Sequence, residues 1–256
     1  MYVLYSIFAL TGLLNGFLNT IASSGSAVTL PLLIFLGMTP EIANGTNRVP
    51  VLLGSIVAIF LFSKLVKIPW SIAIKIVIPV SIGSLLGAII AEIISAGDLG
   101  ILITIAVLIA LILLFTRIKQ ELLKTFTETP RVRWQEVLIF FVIGIWLGFI
   151  VLDGATYLLL ALILAVRLPF VEATAIKNLC IATSTIVSLA FFSIKGSVDW
   201  GVGSIMAFGS LFGGFLGTKA AMHPMAKTWA YWLLVIIILL ELSHMGIRYY
   251  HLFTMR

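Results

Sequence analysis

Only 10% of the 256 residues are charged, and only one, Cys180, is a cysteine. The scarcity of charge excludes an ordinary soluble domain. With 61% hydrophobic residues and a mean hydropathy of +1.21, the apolar surface exceeds what one core could hide. A lone cysteine excludes an intramolecular disulfide, a CxxC redox pair and a thiolate metal cluster. Long hydrophilic stretches are missing too: the longest, from Arg117 to Glu136, is a linker, and no soluble domain fits between the apolar runs. There is no His/Cys/Asp cluster at ligand spacing and no phosphate loop, so neither a metal nor a cofactor is expected. Ala22-Ser23-Ser24-Gly25 is superficially like the serine motif of intramembrane proteases. However, the glycine two before the serine is missing and no histidine lies within a matching span, so an enzyme is not expected.

What the chain has instead is apolar length. Runs free of Asp, Glu, Lys and Arg cover residues 3–36, 49–63, 99–116, 137–152, 178–194 and 200–218, each bounded by polar or turn residues. This is a polytopic protein of the cell membrane, with the lipid bilayer as its solvent. The net charge of +6 would suggest nucleic acid in a soluble protein, but here the cations sit in short loops beside spans, and no nucleic-acid partner is expected. The first run lacks a basic n-region and an obvious cleavage site, and is read as retained structure.

The chain is also duplicated. At a fixed offset of 130, Ala43, Ser63, Trp70, Gly83 and Gly87 fall on Ala173, Ser193, Trp200, Gly213 and Gly217 without a gap. Each half opens with a long apolar run interrupted by small polar residues, Ser23-Ser24-Gly25-Ser26 in one and Asp153-Gly154-Ala155-Thr156 in the other, where a helical hairpin is expected. Three fuller spans follow in each half, at 42–63, 71–95 and 99–116, then at 171–194, 200–222 and 228–247. The expected fold class is therefore all-α, with transmembrane repeats at 1–118 and 134–256 joined by a linker at 119–133.

Orientation follows from the cations. A cytoplasmic linker puts Lys64, Lys67, Lys75, the five linker cations, Arg167, Lys219 and Lys227 on the inner side, and only Lys195, Arg248 and Arg256 outside. The two hairpins then enter from opposite faces, which makes the halves an inverted repeat.

Arg48 and Lys177 are the two cations left inside spans. In the duplicated register Asn47-Arg48 lies on Lys177-Asn178, so each half supplies one cation and one amide at matching places. A cation inside a span costs about 2.5–3.5 kcal/mol on insertion scales, and a matched pair points to function, though snorkelling or pairing with Glu41, Glu172 or Asp153 is the structural alternative. Arg48 follows Ala43-Asn44-Gly45-Thr46-Asn47, read as a break ahead of Pro50. The second arm of each hairpin would aim its free N–H groups and positive dipole end at whatever sits between the repeats, which favours an anion. The expected substrate-binding set is Arg48, Lys177, Asn47, Asn178, Ser23, Ser24, Ser26, Thr156 and Thr46. Helix capping and small-residue packing account equally well for each hydroxyl taken singly. Asp153 is the candidate for coupling to protons or another ion, and as an N-cap it would be ordinary. Asn15 and Asn19, four apart on one helix face, either line the same cavity or bond between helices.

On these residues the chain resembles the sulfite exporter TauE/SafE family. The features are the duplicated halves, Gly16-Phe17 with Ser24-Gly25-Ser26, Gly148-Phe149 with Gly154, the segment Leu36–Asn47, Trp70 and Trp200 opening spans, and the paired glycines Gly83/Gly87 and Gly213/Gly217. Serines replace the Gly-rich first break common in that family, and the second break carries Asp153. The resemblance implies a secondary transporter of small sulfur-containing anions such as sulfite or organosulfonates, usually moving them outward. The alternatives are a transporter or channel for another small anion, such as a carboxylate or phosphonate, and a membrane assembly subunit.

Overall fold

A computed structural model describes residues 2–23, 25–94, 130–152 and 154–233, with 235, 236 and 239. The helices are α1 (Tyr2–Ile21), α2 (Gly25–Phe35), α3 (Pro40–Leu65), α4 (Trp70–Ile93), α5 (Trp134–Phe149), α6 (Gly154–Leu164), α7 (Phe170–Ile194) and α8 (Trp200–Ala221). Residues 226–233 are helical beyond them, and there is no strand among the described residues. The span expected at 99–116, most of the 119–133 linker and most of the 228–247 span lie outside the described residues. α1, α3, α4, α7 and α8 are each long and apolar enough to cross a membrane. α2 and α6, eleven residues each, reach only ~16 Å. The chain is an all-α, multi-pass membrane protein.

Helix ends fall where the sequence punctuates. Pro40 occupies the first turn of α3, where its missing N–H is not needed, and the Asp199 carboxylate caps α8 by accepting from the Val202 N–H at 3.0 Å. Gly37 (φ +96°) ends α2 and lets the Met38 N–H reach the Leu33 carbonyl. Gly196 (φ +76°) does the same after α7, with the Ser197 N–H on Phe192.

The break expected over Ala43–Asn47 is absent, because α3 runs continuously from Pro40 to Leu65. Gly45 is small for another reason. A Cβ there would stand 1.9 Å from the Ser197 carbonyl oxygen, so the glycine admits the loop between α7 and α8 against α3. The Asp199 N–H then donates to Thr46 Oγ1 at 2.9 Å.

The repeated glycines explain how the halves join. Gly209, Gly213 and Gly217 of α8 face the carbonyls of Ala9, Leu13 and Phe17 of α1. Gly83 and Gly87 of α4 face those of Phe141 and Ile145 of α5. A Cβ at any of these glycines would lie within 2.9 Å of the oxygen it faces, so only glycine permits the approach. Facing residues ascend together, so α1 runs parallel to α8 and α4 parallel to α5. These are the two most extensive helix contacts, and each joins the first helix of one half to a later helix of the other. Gly16 packs on Ser210 and Gly144 on Val80, two positions 130 apart, so the packing counterpart of Gly16 is Gly144 rather than Gly148. α3 and α7 cross at the centre in opposite directions, with Arg48 near the start of α3 meeting Ser188 and Phe192 near the end of α7.

The apolar surface is turned outward on the flanking helices. Ile74, Ile78 and Ile82 of α4 and Phe208, Phe212 and Leu216 of α8 are exposed at four-residue spacing, one face each, as lipid contact requires. α7 lies deeper and buries most of its length.

Candidate functional site

Two helices stop inside the protein. α1 ends at Ile21 and α5 at Phe149, and the segments that follow, Ala22-Ser23 and Ile150-Val151-Leu152, are buried. The last turn of a helix presents carbonyls with no helical donor, and away from water each needs another. Both ends find one in a cation from the opposite half.

Lys177 of α7 donates to the carbonyls of Asn19 and Thr20 at the end of α1, at 2.7 and 2.8 Å, and to Ser23 Oγ at 3.1 Å. That uses all three ammonium donors. Arg48 of α3 reaches the end of α5. Its Nη1 donates to the Leu147 carbonyl at 3.0 Å and to Ser188 Oγ at 2.7 Å, while Nη2 donates to the Gly148 carbonyl at 2.6 Å and the Phe149 carbonyl at 3.4 Å. The guanidinium also lies over the Phe192 ring, 4.7 Å from its centre. Asn44 Nδ2 supplies a second donor to the Phe149 carbonyl at 2.9 Å. Both cations are 0% exposed, so neither snorkels. Every hydrogen-bond partner of either, among the described residues, is a neutral carbonyl or hydroxyl.

Ser23 is held at φ +67°, a left-handed conformation that a side chain adopts at a cost of about 1–3 kcal/mol. Glycine would avoid that cost but would remove the hydroxyl that Lys177 donates to.

The first break also carries a network of side-chain amides and hydroxyls. Asn47 Nδ2 donates to Ser26 Oγ at 3.0 Å, and Asn47 Oδ1 accepts from Thr29 Oγ1 at 2.5 Å and from Asn15 Nδ2 at 3.2 Å. Asn15 also donates to Thr29 Oγ1 at 2.9 Å. α1, α2 and α3 are thereby tied together at the tip of the first hairpin. In the second half α6 fills its place with Leu158, Leu159 and Leu160, all buried.

Of the residues expected to bind substrate, the structure joins Lys177 to Ser23 and Asn47 to Ser26. Arg48 goes to the second break and meets none of the others. Asn178 Nδ2 bonds within its own helix, to the Thr174 carbonyl at 2.8 Å, and Thr46 serves the Asp199 N–H. Arg48 Nε, Thr156 Oγ1 and Asn178 Oδ1 are buried with no partner among the described residues. Ser24 and Asp153 lie outside the described residues. Asn15 bonds between helices, one of its two expected roles. Thr29 and Ser188 were not anticipated, and for Ser188 a signal existed: it lies three turns beyond Lys177 on the same face of α7.

The family described as Sulfite exporter TauE/SafE matches residues 8–245 of the chain. Among curated relatives, a probable membrane transporter protein of Haemophilus influenzae is 28% identical over 226 residues, 86% of each chain. The probable membrane transporter protein YfcA of Escherichia coli K12 is 28% identical over 230 residues, 88% of this chain and 83% of its own length. One from Xylella fastidiosa 9a5c is 25% identical over 213 residues, 82% of each. No solved structure matches the chain.

Proposed function

The chain belongs to the sulfite exporter TauE/SafE family of membrane transporters, and from that premise we propose that it carries a small sulfur-containing anion, such as sulfite or an organosulfonate, outward across the cell membrane. The site lies between two halves of opposed orientation. Support for the opposed orientation comes from the antiparallel α3 and α7 and from the cation distribution along the loops.

The observation that carries the anion reading is the unbalanced charge at the two breaks. A helix end is worth about half a unit of charge. At the first break the carboxyl end of α1 contributes roughly −0.5, Lys177 +1 and the amino end of α2 roughly +0.5. At the second, α5, Arg48 and α6 contribute the same set. The first break is thus left with about one positive unit in a low-dielectric interior, its described partners all neutral, and the second is left the same while Asp153, outside the described residues, is protonated. An anion removes that imbalance. The hydroxyl of Thr156 and the Nε–H of Arg48 are donors left over for it. Asn47 and Ser26 preorganise the first hairpin, and Asp153 is the group that would exchange a proton or coupling ion when the substrate arrives, which Asp153→Asn would reveal as a flattened pH profile of transport.

Proteoliposomes containing the purified protein test the reading directly. Sulfite or sulfonate flux should exceed that of acetate, phosphate and methylphosphonate by about tenfold, a difference of ~1.4 kcal/mol in the barrier. Equal flux of carboxylates or phosphonates would make it a transporter of small anions generally. The absence of any anion flux would reject transport of this class and leave the cations as structural caps.

A further inference from the structure

We propose that the turn between α7 and α8, residues 196–199, is the outer gate of the transport path, a strap held shut on α3 by polar contacts that water can replace. The proposal rests on the reading of the chain as a carrier with opposed halves. The Ser197 carbonyl lies over Gly45, where a Cβ would stand 1.9 Å from its oxygen. The Asp199 N–H donates to Thr46 Oγ1 at 2.9 Å, and Ser197 Oγ donates to Glu92 Oε1, at the end of α4, at 3.0 Å. Val198 packs against the small cluster of Val49, Leu189 and Ala207 beneath the strap.

The duplicated register gives this turn a counterpart, residues 66–69 between α3 and α4, and the counterpart has none of the groups that make the latch. Thr46 falls on Ile176, which has no hydroxyl, and Asp199 falls on Pro69, which has no N–H. Gly45 falls on Ala175, and Glu92 on Met222, which has no carboxylate. These differences are covalent. The inner turn is seated another way, by Ile68, which is buried in the main core with Phe62 and Ala73. Lifting it would give up the burial of a whole isoleucine. Val198 of the outer turn is only partly buried, and the polar groups of that turn regain hydrogen bonds from water once they leave α3. Of the two turns, the outer one releases at the smaller cost.

Gly196 supplies the hinge. It stands at φ +76° with nothing within 4 Å of where a Cβ would be, so glycine is there for its backbone freedom and not for room. Its counterpart Val66 is extended. The latch is also tied to the candidate site. Thr46, Asn47 and Arg48 are successive residues of α3, and they hold the strap, the tip of the first hairpin and the end of α5 in turn. A shift of that one helical turn as an anion arrives therefore acts on the strap as well.

Val49→Cys, at a position 5% exposed beneath the strap, reads the opening, and native Cys180, fully buried in α7, reads general loosening of the fold. Purified full-length protein in neutral detergent is treated with a charged methanethiosulfonate, and modification of each cysteine is followed by mass spectrometry. Adding Thr46→Val, which keeps the volume and removes the acceptor, should speed labelling at position 49 about fivefold, the population shift for one net hydrogen bond, and leave Cys180 unlabelled. Thr46→Ser retains the hydroxyl and should label as slowly as the protein with Thr46 intact. Labelling at position 49 unchanged by Thr46→Val would overturn the proposal. So would equal acceleration at Cys180, or a Thr46→Ser rate that matches Thr46→Val. No substrate enters the measurement, so its failure leaves the anion reading standing, and flux in proteoliposomes tests that reading separately.

Discussion

The guanidinium of Arg48 donates to the carbonyl of Gly148 at 2.6 Å, a bond between the two halves of the chain at the point where α5 stops. Lys177 does the same for α1 through the carbonyl of Thr20 at 2.8 Å. Each cation is the donor that satisfies a buried helix end, so a neutral residue at either position leaves that end without one.

Arg48→Gln should therefore destabilise the protein, by about 1–3 kcal/mol for each buried carbonyl left without a donor. Arg48→Lys keeps the charge but loses the second arm of the fork, and should cost about 1–3 kcal/mol for the carbonyl left unsatisfied. Thermal melting in detergent orders the three proteins. An Arg48→Gln variant that melts at or above the wild-type temperature would show that the carbonyls of residues 147–149 do not depend on it.

Ser23→Gly separates strain from chemistry. Glycine accepts φ +67° freely, so the strain of about 1–3 kcal/mol is relieved, offset by ~0.5–1 kcal/mol for the freer unfolded chain and ~1 kcal/mol for the lost hydrogen bond. Stability should change by less than ~1 kcal/mol. Transport should change more, since Lys177 loses one of its three acceptors and becomes free to reorient. A variant with unchanged flux would reduce Ser23 to a turn residue.

Much of this arrangement was legible in the sequence, and the illegible parts share a cause. Composition and run length dictate membrane helices, and a small polar cluster inside an apolar run dictates a break, so α1–α2 and α5–α6 follow. A cation at a duplicated position must be satisfied internally, so the importance of Arg48 and Lys177 follows too. The identity of their partners does not, because backbone carbonyls carry no residue signature. Gly83 and Gly213 announce close approach without saying to which helix. Thr29 and Ser188 are hydroxyls in helices, which ordinarily bond to their own backbone, and each also reaches across to another helix. Gly45 was read as a break because a glycine admitting a neighbouring loop and a glycine ending a helix look the same in one dimension.

Opposed orientation of the halves can be checked on single cysteines placed in the loops, on a background lacking Cys180, itself buried. Lys67, between α3 and α4, should label only from the cytoplasmic side, and Ser197, between α7 and α8, only from outside. Labelling of both from one side would exclude the inverted repeat.

Lys177 offers the sharpest test of whether the cations serve a ligand as well as the fold. Its three protons are spent on neutral acceptors, so any pull on an anion acts through its charge rather than through a free hydrogen bond. In a low-dielectric interior that charge still counts at several ångströms. Lys177→Met removes it and should weaken sulfite binding by roughly 2–4 kcal/mol, the loss for truncating one buried charge facing another. Lys177→Arg retains the charge with different donors and should recover most of the affinity while stability stays below wild type. Isothermal calorimetry on the three proteins, each first shown to be folded by its melting transition, reads both quantities. If the methionine variant folds and binds sulfite as wild type does, Lys177 caps α1 and nothing more, and the anion must be held by Arg48 and the second break alone.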